Sequence, residues 1–220
     1  MWQLDFEGIC RKLQDGNNFS FARYGDGEWK CILGEKGENC DNHPYTHDLG
    51  LALSLALCEP QSYYLGMQPK SQRDIKSEID KWLSDMELNI EWCNADILHN
   101  ASIDDRLGEF FKAMQGRRII FVAPERLNAV AMKISAIHIP VQLYNVWRWY
   151  RQIYGDILDQ IDKNAVILYS MSMAAKVLIA KLHDEYGDTI TQVDCGSVFD
   201  PYCGYRTRRY HAEIIKRLKI

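Results

Sequence analysis

The chain has 220 residues, is 47% hydrophobic and carries a formal net charge of −4, from 26 Lys+Arg against 30 Asp+Glu. That length and apolar content suit one packed domain, and the acidic balance excludes a molecule built as a whole to lie on nucleic acid or an anionic membrane. No apolar run approaches the ~20 residues of a spanning helix, and Met1 to Asp5 lack the basic start of a signal peptide, so the chain reads as cytosolic. The cysteines include no Cys-x-x-Cys pair, so they are expected to be small buried apolar groups rather than zinc ligands or disulfides.

Apolar, β-branched runs predict strands at Phe19–Tyr24, Tyr63–Met67, Asp96–Leu98, Arg118–Ala123, Val141–Val146, Ala165–Tyr169 and Thr189–Val193. Helical patterns lie between them, near 3–14, 47–58, 71–86, 104–115, 126–136, 147–161, 172–186 and 207–218. Residues 47–58 also alternate strictly, but their length and alanine content favour a helix. The alternation of strand and helix predicts an α/β domain spanning 1–220, with a mainly parallel sheet and helices on both faces. In such a sheet ligands gather where strands end and helices begin.

Four strand-ends carry chemistry. The first strand runs into Tyr24-Gly25-Asp26-Gly27-Glu28. Carboxylates two apart on an extended or turning backbone point the same way, and the glycines leave the approach open. Asp26 and Glu28 are therefore candidate ligands for a divalent cation that also holds a phosphate. A polar turn with Glu28 opening the next helix accounts for the same residues. The second strand-end is Ala123-Pro124-Glu125-Arg126. The third is Ser170-Met171-Ser172, opening a helix that contains Lys176, where hydroxyls suit either a helix cap or a phosphate. The fourth runs from Asp194 to His211. Its arginine forks match phosphate oxygens and its phenols suit bases or sugars, although a helix solvated on one face explains the charges too. On a helix starting near Tyr205, Arg206 and Arg209 share a face, with Asp200 and Tyr202 completing the wall and Arg208 pointing to solvent.

Three segments, Arg23-Tyr24-Gly25-Asp26-Gly27-Glu28, Phe121-Val122-Ala123-Pro124-Glu125-Arg126 and Asp194-Cys195-Gly196-Ser197-Val198-Phe199-Asp200-Pro201-Tyr202, together span almost the whole chain. In that order they resemble the landmarks of the bacterial glycosyltransferases of the GT-D fold, first catalogued as a domain of unknown function. The resemblance implies a Rossmann-like single domain that transfers a hexosyl group from a nucleotide-sugar, a UDP-sugar foremost, to an acceptor hydroxyl. It also implies Mn²⁺ or Mg²⁺ held by Asp26 and Glu28. Donor contacts are then expected from Arg23, Tyr24, Gly25, Gly27, Pro124, Ser170, Ser172, Lys176, Tyr202, Arg206 and Arg209. Asp200, Glu125 and His211 are candidates for the general base. Two positions depart from the family pattern: Ala123 stands where glycine is usual, and Ser170 to Ala174 lack the glycine often found after the sixth strand.

Two other readings compete. Arg206-Thr207-Arg208-Arg209 and the run Trp147-Arg148-Trp149-Tyr150 suit a non-catalytic nucleotide- or nucleic-acid-binding module, against which the net charge argues. A metal-dependent phosphoesterase requires a second Asp/His set that the sequence lacks. The acceptor, whether glycan, glycoprotein, small molecule or modified DNA base, is left open.

Overall fold

The computed structural model describes residues 4–58 and 62–219. Among them, seven strands form one sheet: β1 (Ser20–Tyr24), β2 (Tyr64–Met67), β3 (Trp92–Asn94), β4 (Ile119–Pro124), β5 (Ile137–Val141), β6 (Val166–Tyr169) and β7 (Thr191–Asp194). Every pairing is parallel and the order is β3-β2-β1-β7-β6-β4-β5. Parallel strands need helical crossovers, which cover both faces and bring every carboxyl end to one edge. The helices are α1 (Phe6–Gln14), α2 (Asp26–Ile32), α3 (His47–Cys58), α4 (Pro69–Asp74), α5 (Lys76–Asp85), α6 (Ile97–Ile103), α7 (Leu107–Ala113), α8 (Asn128–Lys133), α9 (Tyr150–Leu158), α10 (Ala174–Tyr186) and α11 (His211–Leu218). None of them is long and apolar enough to cross a membrane.

Alternation along the strands makes two cores. Ala22, Tyr24, Ile120, Val122, Ile167 and Tyr169 face α2, α3, α5, α9 and α10. Phe19, Phe21, Ile119, Phe121, Val166 and Leu168 face α1, α6, α7 and α8. The period of two along each strand is what lets one chain fill both layers. On the first face Trp29 is fully buried, its ring 6.2 Å from Tyr24, 5.7 Å from Trp82 and 6.1 Å from Trp92. Its indole N–H points to the Met67 sulfur at 3.1 Å. The α2 and α3 backbones cross so closely beside it that a Cβ on Gly50 would stand 2.4 Å from the Cys31 carbonyl oxygen. All seven cysteines are free thiols, and Cys10, Cys31, Cys93 and Cys195 are buried as small apolar groups.

Several expected boundaries move. Asp96–Leu98 is not a strand: Ile97, Leu98 and Ala101 form the buried stripe of α6, and the third strand lies earlier, at Trp92–Asn94. The fifth strand precedes Val141 instead of following it. It contains Pro140, which is tolerated because β5 is an edge strand paired only with β4. The helix expected near 71–86 is two helices meeting at Ile75, and 104–115 begins only at Leu107. The helix near 3–14 starts at Phe6, where the Asp5 carboxylate accepts the Gly8 N–H at 2.7 Å; residue 3 lies outside the described residues. Beyond β6, a helix starts at Ala174, not 172.

Replacing Trp29 by alanine empties the centre of the aromatic cluster and is expected to cost about 3–5 kcal/mol. Trp149→Ala, at a half-exposed position, should stay within about 0.5 kcal/mol of the parent. Urea midpoints of the two variants check both values.

Candidate active site

The carboxyl ends of β1, β7 and β6 meet around one buried lysine. Gly25 leaves β1 with extended backbone and is the N-cap of α2. Glu28, three residues on, folds back so that its Oε2 accepts the Gly25 N–H at 2.9 Å, one half of a capping box. Its Oε1 lies 2.9 Å from the Lys176 ammonium, which reaches down from the first turn of α10. The same ammonium lies 2.9 Å from Asp194 Oδ2 at the end of β7 and donates to the Ser172 carbonyl at 3.2 Å. Asp194 Oδ1 accepts the Gly196 N–H at 3.0 Å. Burial alone would lower the Lys176 pKa, but the Asp194 and Glu28 carboxylates outweigh it and leave it raised, so the lysine is charged.

Asp26 takes another direction. It occupies the first position of α2, and on a helix residues two apart point to widely separated sides, unlike those of a strand. Its carboxylate is half exposed, 3.9 Å from Lys70. The expected convergence of Asp26 and Glu28 therefore does not occur, because the backbone is already helical at Asp26. Both Glu28 oxygens are engaged by protein donors, and no group of three or more His, Cys, Asp or Glu among the described residues could hold a metal ion. This donor set does not fit a divalent cation.

Beside the lysine junction stands Arg23, near the end of β1. Gly196, at φ +55, has no side chain to obstruct it: a Cβ there would lie 2.6 Å from Arg23 Nη1. Arg23 Nε and Nη1 are buried without hydrogen-bond partners. Buried guanidinium donors are ordinarily paired, so this orphaned pair calls for an anion. Its surroundings include the α6 pair Asp96 and His99, 3.5 Å apart, and Tyr210, whose ring is 5.5 Å from His99. Burial and then the Arg23 charge push the His99 pKa down to about 4.

A second charged cluster braces the segment before α11. Asp200, buried, is 3.3 Å from Arg126 Nη2 and accepts the Thr207 hydroxyl. Burial raises its pKa against those two partners. Arg126 lies 4.9 Å over the Tyr205 ring. Arg208 forms a bidentate pair with Asp41 at 2.8 and 2.7 Å. Burial pulls the Asp41 pKa up, but the Arg208 contacts prevail and hold it below the usual range.

The expected donor contacts divide. Arg23, Gly25, Gly27 and Lys176 lie at the junction, with Gly27 packed so that a Cβ would stand 3.2 Å from Asn39 Cβ. Tyr24 is instead fully buried between Trp29 and Trp92 and is a core residue. Ser170 is buried, and Ser172 receives the Asn39 amide at 2.8 Å rather than capping α10. Pro124 closes β4, with Glu125 exposed beside it. Tyr202 meets the Ser102 hydroxyl at 3.4 Å. Arg206 and Arg209 are exposed and share no helix face, since α11 begins only at His211, while Arg208, expected in solvent, is the one that is paired. His211 is fully buried and its Nδ1 accepts the Thr207 and Arg208 N–H groups at 3.2 and 3.3 Å. That leaves the proton on a buried Nε2, so His211 cannot serve as a base. Asp41, Asp96, His99, Asp194 and Tyr210 were not singled out by sequence; only the Asp194-x-Gly196 landmark signalled one of them.

No protein-family model matches the chain, and no curated protein matches it. Two solved structures do share its fold. One, described as a selenomethionine-substituted structure of domain of unknown function 1792, aligns with a TM-score of 0.65, and the other, described as showing that this domain has a distinct glycosyltransferase fold, with 0.64. Each is 18% identical and covers 90% of this chain and 79% of its own. The fold is of the GT-D glycosyltransferase type. Ser172, at φ +61, holds the left-handed conformation that glycine adopts most readily, just where the sequence lacks the expected glycine.

Because His99 stays neutral in the fold down to about pH 4 while the unfolded chain takes up its proton near 6.5, acidification favours unfolding. Between pH 7.5 and 5 this histidine alone should remove about 2 kcal/mol of stability. Denaturant titrations of the parent and of His99→Gln, which lacks that proton uptake, check the sign and size.

Proposed function

We propose that the chain transfers a glycosyl group from a nucleotide-sugar to an acceptor hydroxyl, with the donor diphosphate received by Arg23. The observation that carries this reading is the pair of buried Arg23 nitrogens, Nε and Nη1, that have no hydrogen-bond partner at the carboxyl ends of the strands, in a glycosyltransferase fold. Breaking the bond between the anomeric carbon and the diphosphate builds negative charge on the leaving group. Preorganised donors already stripped of water stabilise that charge most. A guanidinium with unpaired N–H groups suits phosphate oxygens, and the bare backbone of Gly196 leaves room for the arginine itself. Asp26, half exposed at the same edge, is the carboxylate we assign to the acceptor side.

A hexosyl group and a UDP-sugar remain our first choices for the donor. The nucleic-acid reading loses its aromatic platform, since Trp147 and Tyr150 stack on each other at 4.3 Å and the Trp147 indole donates to Asp48 at 2.7 Å. A phosphoesterase requires a cluster of hard ligands, which the described residues do not supply.

Calorimetry with UDP, GDP, ADP and TDP against the matching nucleosides tests the diphosphate site. Arg23→Lys keeps the charge but loses the fork, and should weaken diphosphate binding on the order of tenfold or more without moving the unfolding midpoint. Equal affinity for nucleoside and nucleotide, or an unaffected Arg23→Lys variant, overturns the assignment. Release of the nucleoside diphosphate from UDP-sugars on addition of acceptor then separates transfer from mere binding.

A further inference from the structure

We infer that the Lys176 ammonium takes the place between Glu28 and Asp194 that a divalent cation would occupy, so that this junction carries a built-in charge and binds no Mn²⁺ or Mg²⁺. An ammonium has three protons, and three acceptors stand around it: Glu28 Oε1, Asp194 Oδ2 and the Ser172 carbonyl. The remaining carboxylate oxygens are also engaged, Glu28 Oε2 by the Gly25 N–H and Asp194 Oδ1 by the Gly196 N–H. A hard divalent cation needs about six oxygen ligands, several of them commonly water. Here it would find two occupied carboxylates and one carbonyl in a buried space. To enter, it would have to displace the ammonium from both carboxylates, which strips a buried positive charge of its counter-ions.

Lys176 is in this account a positioning residue. It joins the turn after β1, the end of β7 and the start of α10, and so fixes the backbone from which Arg23 and Gly196 define the anion site. The inference deepens the glycosyl-transfer reading, on which it rests, by assigning the charge on the leaving group to arginine rather than to a metal. The cation itself can be tested without any donor.

The full chain, stripped with chelator, is titrated with Mn²⁺ while the free-ion electron paramagnetic resonance signal is followed. The expected signal tracks the buffer blank, or any uptake is unchanged in Glu28→Gln. Uptake of one equivalent that Glu28→Gln abolishes overturns the proposal. Lys176→Met leaves the two carboxylates facing each other with no ammonium, so its melting temperature should fall and Mn²⁺ should raise it, whereas Mn²⁺ should leave the parent's unchanged. Should that variant not fold, the parent titration decides alone. UDP affinity is then compared in Mn²⁺ and in EDTA: equal values support the inference, and loss in EDTA restored by Mn²⁺ overturns it. Absence of UDP binding in both media defeats the donor reading and leaves the Mn²⁺ titration to judge the lysine.

Discussion

One buried ammonium, shared by two carboxylates, holds together the part of the sheet on which the site is built. Glu28 follows β1, Asp194 ends β7 and Lys176 opens α10 after β6, and these three strands are neighbours in the sheet. Two negative charges buried together would repel each other and pull water inward. With the lysine between them and backbone amides on the outer oxygens, each carboxylate oxygen has an ammonium or an amide within 3.0 Å, and pairing of this kind is what lets a buried ionic network be tolerated. The position of Arg23 follows from it, since the Asp194 carboxylate also holds the Gly196 amide and thereby the bare backbone beside the guanidinium.

A second layer of contacts covers this junction. Asn39, on the connection between α2 and α3, accepts the Asp41 and His43 N–H groups at 3.0 Å and gives its amide to Ser172. The neighbouring Asp41 clamps Arg208. This one connection thus fastens both the turn into α10 and the segment ahead of α11. The left-handed Ser172 costs about 1–2 kcal/mol relative to an ordinary conformation, and the Asn39 hydrogen bond offsets part of it.

The sheet was readable because its central strands are short, continuously buried apolar runs, as at Ile119 to Ala123 and Val166 to Tyr169. Where apolar residues were few, local pattern misled: Ile97 and Leu98 look like a strand until Ala101 completes a helical stripe, and Pro140 hid the edge strand that contains it. The strand-ends were correctly placed at one edge of the sheet, but partnerships across it were not legible. Lys176 and Asp194 are 18 residues apart and Glu28 far from both, so only the strand order brings them together. The Asp26/Glu28 expectation failed for a local reason, the onset of helix one residue after Gly25, which turns an i, i+2 pair away from each other. Arginines 206, 208 and 209 were misassigned because the segment is irregular until His211, so helical spacing did not apply to them.

The proline within β5 also bears on how the molecule behaves among its neighbours. An open parallel sheet ends in two strands whose outer hydrogen-bonding groups have no partner in the sheet, and such edges invite another chain to add a strand. Here one edge, β3, is only three residues long, and the other, β5, has a residue at Pro140 that cannot donate. Neither border offers a long regular ladder. The sheet is thereby protected against edge-to-edge aggregation at the same places where its strand pattern was hardest to read.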